Sequence, residues 1–258
     1  MGAPRSLDRV PTPPDVLAAM LRSDPARPRL TFYDDAAGPT RGERIELSAR
    51  VLANWVSKAA NALQEELDTG PGSTVALTLP THWRALYWAL ATWATGATLL
   101  VPAADLPSGP AEGLAAEVLV TADPERAAAA GRTGAAVLVS LAMLARSNPA
   151  TPPGAMDEAR ELATYGDVFG AWERPPPGAT ALRVLRVGST TDTAYDAVVV
   201  PQPGWGPSPR VRVGGDLPHL LTSCLSAWAL DGSVVLVREP GAEQVGRMRA
   251  EGVTVEAG

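Results

Sequence analysis

The chain has 258 residues, 46% of them hydrophobic and 19% charged, with a formal net charge of −6, a length that suits one large domain or two smaller ones around an ordinary core. An acidic balance without clustered Lys and Arg argues against a nucleic-acid or anionic-membrane surface, because either needs cations to neutralise phosphate. A single cysteine, Cys224, excludes an internal disulfide and a cysteine-rich metal site, and Lys58 is the only lysine.

Arg5, Asp8 and several prolines precede any apolar run, which is not the order of a signal peptide. The longest apolar stretch contains Arg84 and is too short to span a bilayer, so the expectation is a cytoplasmic protein. Residues 1–14 read as a proline-rich arm and 15–21 as a short helix. Residues 30–34 and 43–47 read as a β-hairpin around the Gly38-Pro39 turn. Ser48 then caps a helix to about Leu67, with Leu52, Val56, Ala59, Ala60 and Leu63 on its apolar stripe and Lys58 on its wet side.

Residues 70–102 are the best-patterned stretch. A β-rich run over 74–79 ends at Pro80, and Thr81 supplies a capping hydroxyl for a helix beginning near His82, itself read as a polar residue at the helix start. Trp83, Leu86, Tyr87, Leu90 and Trp93 share one face of that helix, whereas Trp88 points away and suggests a subunit or domain contact. Gly96 ends the helix, and 97–101 is a second strand, predicted parallel to the first through a right-handed crossover.

A strand over 118–121, a cap at Asp123 with Pro124 at the first helical position, and a strand over 136–140 continue the alternation. Residues 147–178 are proline-rich and polar and read as a connector, with Tyr165-Gly166-Asp167 a turn. Strands over 182–187, 197–200 and 210–213 follow. A helix over 216–229, a strand over 233–237, a helix over 242–250 and a strand over 253–256 complete the chain. Cys224 falls among Leu221, Leu225 and Trp228 as a small buried hydrophobe. TWATGATLLVP and AWALDGSVVLVREP resemble each other and hint at two similar halves. The fold class expected is α/β, with two parallel-sheet subdomains over 1–146 and 181–258 joined by a connector over 147–180.

In this order of elements the chain resembles the N-terminal half of the adenylate-forming (AMP-binding) superfamily, which includes acyl-CoA synthetases, aryl-CoA ligases and peptide-synthetase adenylation domains. The resemblance is carried by LTFYDD with ERIELSARVLANWVSKAANALQEEL, by PGSTVALTLPTHWRALYWALATWATGATLLVP, by EVLVTA, and by LLTSCLSAWALDGSVVLVREPGAEQVGRMRAEGVTVEAG. It is also similar to short bacterial proteins that keep this half and stop. The resemblance implies a phosphate loop at Gly188, Ser189, Thr190 and Thr191. There Asp192 stands where the family has Gly, Ala194 where it has Pro, and Tyr195 where it has Lys. A phosphate cradle needs converging N–H groups, close approach and a cation, and these changes remove the last two. His219 lies near where the family often has a histidine beside the substrate, so it is the candidate substrate-binding residue.

The chain ends at Gly258, before the family's acidic motif and lid. The expectation is therefore a truncated, catalytically inactive relative with no catalytic residue, no metal and no cofactor, serving as a binding or interaction module. It would meet a second copy of itself or a partner protein on the truncated face, without nucleic acid or membrane. The alternative is an ATP- and Mg-dependent acyl- or aryl-adenylating ligase, completed by a second chain that supplies the lid and lysine.

Overall fold

The computed structural model describes residues 10–105, 114–176, 178–241 and 244–258. Residues 1–9 of the arm expected over 1–14, Pro177 of the proline run and the expected helix start at 242–243 lie outside the described residues, and the first helix begins inside the expected arm, at Pro13.

α1 (Pro13–Ser23) leads into the hairpin β1 (Pro28–Asp34) and β2 (Arg44–Ser48). Ser48 caps α2 (Ala49–Asn61) by accepting from the Val51 N–H, and the helix widens into a π turn over Ala62–Glu66. The central unit is β3 (Thr74–Thr78), α3 (Trp83–Thr95) and β4 (Thr98–Pro102), with β3 and β4 parallel. Gly96 ends α3 in the left-handed conformation, φ +86°, at little cost because it has no Cβ. The cap at the other end is His82 and not Thr81: its ring Nδ1 accepts from the Arg84 N–H at 3.2 Å.

Next come β5 (Val118–Thr121), α4 (Pro124–Ala130) capped by Asp123, and β6 (Ala135–Leu138). The 147–178 segment is more than a connector. It holds β7 (Met156–Asp157), α5 (Glu158–Glu161) and a 3₁₀ turn at Leu162–Thr164, and Met156, Asp157, Glu158 and Leu162 are buried. Then follow β8 (Thr180–Arg186), β9 (Ser189–Ala194), β10 (Arg210–Val213), α6 (Leu217–Ala229), β11 (Ser233–Arg238), α7 (Gln244–Ala250) and β12 (Val255–Ala257). The expected strand over 197–200 is absent. β9 forms earlier, the chain turns at 194–198, and Val198 and Val199 enter the core from irregular backbone.

The strands make two sheets. The seven-stranded sheet has the order β7-β6-β5-β3-β4-β8-β9, parallel except for β9, and the five-stranded sheet has the order β12-β10-β11-β1-β2, parallel except for β2. Both draw on the two sides of the proline-rich segment. Leu30 of β1 lies opposite Val234 of β11, and Leu99 of β4 opposite Leu182 of β8. The expected boundary between 1–146 and 181–258 is therefore not a boundary between sheets.

α3 packs against α1, α2, β1, β3 and β4, and α6 against α1, β4, β10 and β11, so each helix touches both sheets. This placement overturns the outward reading of Trp88, which is 0% exposed in a helix buried on nearly every side. The two halves do echo each other. The indole N–H of Trp93 donates to the Ala181 carbonyl at 2.8 Å, and that of Trp228 to the Arg29 carbonyl at 3.0 Å. Each target lies on the strand that pairs with the one following the tryptophan's helix. Among the described residues, no helix is long and apolar enough to cross a membrane.

Candidate functional site

Ligands of parallel α/β sheets bind beyond the carboxyl ends of the strands, where loops and helix N-termini converge. In this chain the carboxyl ends of β4, β8 and β10 come together, and the residues that follow or close them touch. The Ala103 N–H donates to the Leu185 carbonyl at 2.9 Å, and the Ala104 N–H to Asp216 Oδ2 at 3.4 Å. Arg186 stands 4.0 Å from Asp105. The Gly188 hairpin at the end of β8 and the start of α6, where His219 lies, are thus brought to one edge of the molecule.

The expected phosphate loop is the turn and first half of a β-hairpin. Val187 and Gly188 form a two-residue turn between Arg186 and Ser189, with Gly188 at φ +72°, a conformation that suits glycine. Ser189, Thr190 and Thr191 continue as β9 on the open edge of the sheet, all exposed. A strand alternates its N–H groups inward and outward, so they do not converge on one point as a phosphate cradle requires.

Two of the three residues at which the expected loop departs from the implied motif, Asp192 and Tyr195, are engaged elsewhere. Asp192 holds Arg183 in a bidentate pair, Oδ1 to Nε 2.8 Å and Oδ2 to Nη2 2.6 Å, and those hydrogen bonds keep its carboxyl below the usual carboxylate range. Tyr195 is 5% exposed, and its hydroxyl donates to the Ala97 carbonyl at 2.7 Å. Burial pushes its phenol further up. Lys58 is engaged elsewhere: its ammonium donates to the carbonyls of Ala163 and Tyr165 and pairs with Asp167 at 2.8 Å, tying the 163–167 segment to α2.

His219 sits in the first turn of α6, exposed, with its ring over Gly215 and Nε2 at 3.3 Å from Ser223 Oγ. The Asp216 carboxylate accepts from the His219 backbone N–H and not from the ring. Among the described residues, the His219 ring bonds to Ser223 and its backbone N–H to Asp216, and no hydrogen bond of His219 reaches the Gly188 hairpin. Among the described residues, no three His, Cys, Asp or Glu gather in a way that would hold a metal ion. Cys224 is fully buried, and burial raises its thiol well above the ordinary value.

One polar cluster escaped the sequence reading. Glu158, 2% exposed, meets Arg84 Nη1 at 2.6 Å and also accepts from the Tyr87 hydroxyl, while Arg84 Nη2 donates to the Ala142 carbonyl at 3.2 Å. The Arg84 guanidinium lies 4.5 Å from the centre of the Trp83 ring. The Arg84 and Tyr87 spacing places both on one helix face, but nothing local marks Glu158, 71 residues further on, as their partner. A separate cleft of about 660 Å³ lies at the opposite end of α3, between Trp93, Ala94, Pro175, Pro176, Tyr195 and Asp196.

No family model matches the sequence. A protein of Mycobacterium tuberculosis described as a "TIGR03089 family protein" is 39% identical over 179 residues, which are 66% of this chain and 68% of that protein. Among solved structures, an acyl-CoA synthetase from Brucella canis aligns over 93% of this chain with a TM-score of 0.74 at 16% identity. Acetoacetyl-CoA synthetase from Streptomyces lividans aligns over 94% with a TM-score of 0.70 at 17% identity. The N-terminal subdomain of Klebsiella oxytoca NpsA, in complex with 3-hydroxybenzoyl-AMSN, aligns over 99% with a TM-score of 0.67 at 15% identity. This chain spans 46% and 44% of the two synthetases and 61% of the NpsA subdomain. At these identities the likeness is one of fold, and the fold is that of the N-terminal half of an adenylate-forming enzyme, as the order of elements implies.

Proposed function

Because the chain belongs to the TIGR03089 family, on the fold of an adenylate-forming large domain, we propose that it serves as a binding or interaction module and does not form an acyl adenylate at the Gly188 hairpin. The observation that carries this reading is the bidentate Arg183–Asp192 pair. A triphosphate at Thr190 and Thr191 would meet a carboxylate whose partner guanidinium is already used. The pair is close to net neutral and offers phosphate no free cation, so bringing a triphosphate to this strand would mean breaking two charge-assisted hydrogen bonds. Tyr195 offers no cation in place of a lysine, and its hydroxyl faces the core. Lys58, the one ammonium in the sequence, is spent on the 163–167 segment.

Calorimetric titration of the purified chain with Mg-ATP, AMP and coenzyme A tests the reading. The expected result is no saturable heat with any of them, in the unmodified protein and in Thr190→Ala/Thr191→Ala alike. Micromolar Mg-ATP binding that the double substitution abolishes would overturn it and restore the hairpin as a nucleotide site.

A further inference from the structure

A sheet edge presents a row of unpaired N–H and C=O groups, and proteins protect such edges by shortness, charge or cover. Among the described residues the two sheets have four edge strands, and three are protected. β7 is two residues long and buried, and β12 is three residues long. β2 carries Arg44 and Glu46, paired with each other at 2.9 Å. β9 differs: it has six residues, its first four are exposed, and it has no proline or lysine. It carries one charge, Asp192, paired with Arg183 of the neighbouring strand, where β2 carries two charges on a shorter strand.

The turn fixes which backbone groups face outward. A two-residue turn is closed by a hydrogen-bonded pair, Arg186 and Ser189, so residues 189, 191 and 193 bond inward to β8. Thr190 and Asp192 therefore present their N–H and C=O groups to the open edge.

We infer that β9 pairs antiparallel with β9 of a second copy of this chain, about a two-fold axis at Thr191, which makes the two seven-stranded sheets continuous. In that register Thr190 lies opposite Asp192 of the second copy, and each such pair exchanges two backbone hydrogen bonds. On the same face the Thr190 hydroxyl meets the facing carboxylate as a donor. The two Asp192 groups are diagonal to each other, each on its own Arg183, so no like charges stand opposite. A slip by one residue would align outward groups with inward ones, and a slip that set Asp192 against Asp192 is opposed by charge. The inference deepens the interaction-module reading, on which it rests, since Thr190 and Thr191 must be free of phosphate.

Sedimentation of the full chain should give twice the monomer mass at micromolar concentration. Thr190→Pro removes only an outward N–H, leaving the inward ladder to β8, and should return the protein to the monomer. Thr191→Cys places two thiols at the two-fold axis, where the facing Cα atoms of a non-hydrogen-bonded pair are about 4.5 Å apart, within disulfide reach. Mild oxidation should then give a covalent dimer, and Ser189→Cys should not, because Ser189 faces Thr193 of the second copy. Cys224, being buried, does not compete. If Thr190→Pro fails to fold, the contrast between the two cysteine variants decides alone. The pairing is overturned by an unmodified chain that stays monomeric, including one that instead captures an extended peptide. It is equally overturned by a dimer that Thr190→Pro leaves intact, or by equal cross-linking of the two cysteine variants. A monomer without affinity for Mg-ATP would sink the pairing and spare the module reading; a chain that binds Mg-ATP would sink the module reading whatever its mass.

Discussion

Tyr195 donates its hydroxyl proton to the Ala97 carbonyl at 2.7 Å, so the residue for which the resemblance to adenylate-forming enzymes implies a lysine ties the end of the β8–β9 hairpin to the residue before β4. The tie is structural, and its removal has a calculable effect. Tyr195→Phe keeps the ring in the core but leaves the Ala97 carbonyl without this partner, and should lower unfolding stability by about 1 kcal/mol in urea titration. Tyr195→Lys would place an ammonium in a site that is 5% exposed and should cost more than the phenylalanine variant. Equal stability of the unmodified, Phe and Lys forms would show that the hydroxyl is not held as described.

His82 gives the fold an acid sensitivity. It is 0% exposed, stacks edge-on to Phe32 at 4.5 Å, and is lowered from 6.5 to about 3, first by burial and then by Arg84 and Arg238. The unfolded chain therefore binds a proton that the folded chain refuses between about pH 6.5 and about pH 3. Stability from this group is fully present above pH 6.5 and falls as the pH drops through that window, with a slope of up to about 1.4 kcal/mol per pH unit. His82→Asn retains a capping acceptor and should flatten the slope between pH 7 and pH 5 in urea titrations; an unchanged slope would assign it to other groups.

The Arg84–Glu158 pair should behave as a buried ion pair. Glu158→Ala leaves the guanidinium buried without its carboxylate and should destabilise by about 3–5 kcal/mol. Arg84→Met/Glu158→Leu removes both charges and should recover most of that loss, because desolvation of two ions offsets much of their attraction. A double variant no better than Glu158→Ala would mean that the pair's worth lies in its contacts with Tyr87 and Ala142 and not in the charge balance.

Lys58 holds the 163–167 segment through two carbonyls and Asp167, and Asn61 and Gln64 extend the row by donating to the carbonyls of Gly166, Val168 and Gly170. Lys58→Met should speed amide hydrogen exchange across residues 163–170 severalfold while leaving α3 and β4 protected, since local opening needs only the loss of local bonds. Exchange unchanged in that segment would show that Asn61 and Gln64 suffice.

Local signals made much of this fold legible. Ser48, Asp123 and Gly96 mark helix ends through their own side-chain or backbone chemistry, and each does so in the structure. The helical period of Trp83, Leu86, Tyr87, Leu90 and Trp93 gave α3, and the apolar runs gave β3, β4 and β5. Trp88 could not be placed by period, because a helix between two sheets has no wet face to define an outward direction. Of the candidate site, the departures at Asp192 and Tyr195 were visible as letters, but what these residues do instead was not.

The sequence by itself determined the class of fold and the order of the main elements outside residues 147–200, because capping, periodicity and turn chemistry act over a few neighbouring residues. Only the tertiary structure decided which sheet each strand joined, that β1 lies beside β11 across the length of the chain, that Glu158 of a proline-rich segment is the buried partner of Arg84, and that Asp192 closes on Arg183 in a hairpin. Those facts depend on pairings between distant segments, whose free energy comes from burial and hydrogen bonding that no local window of sequence contains.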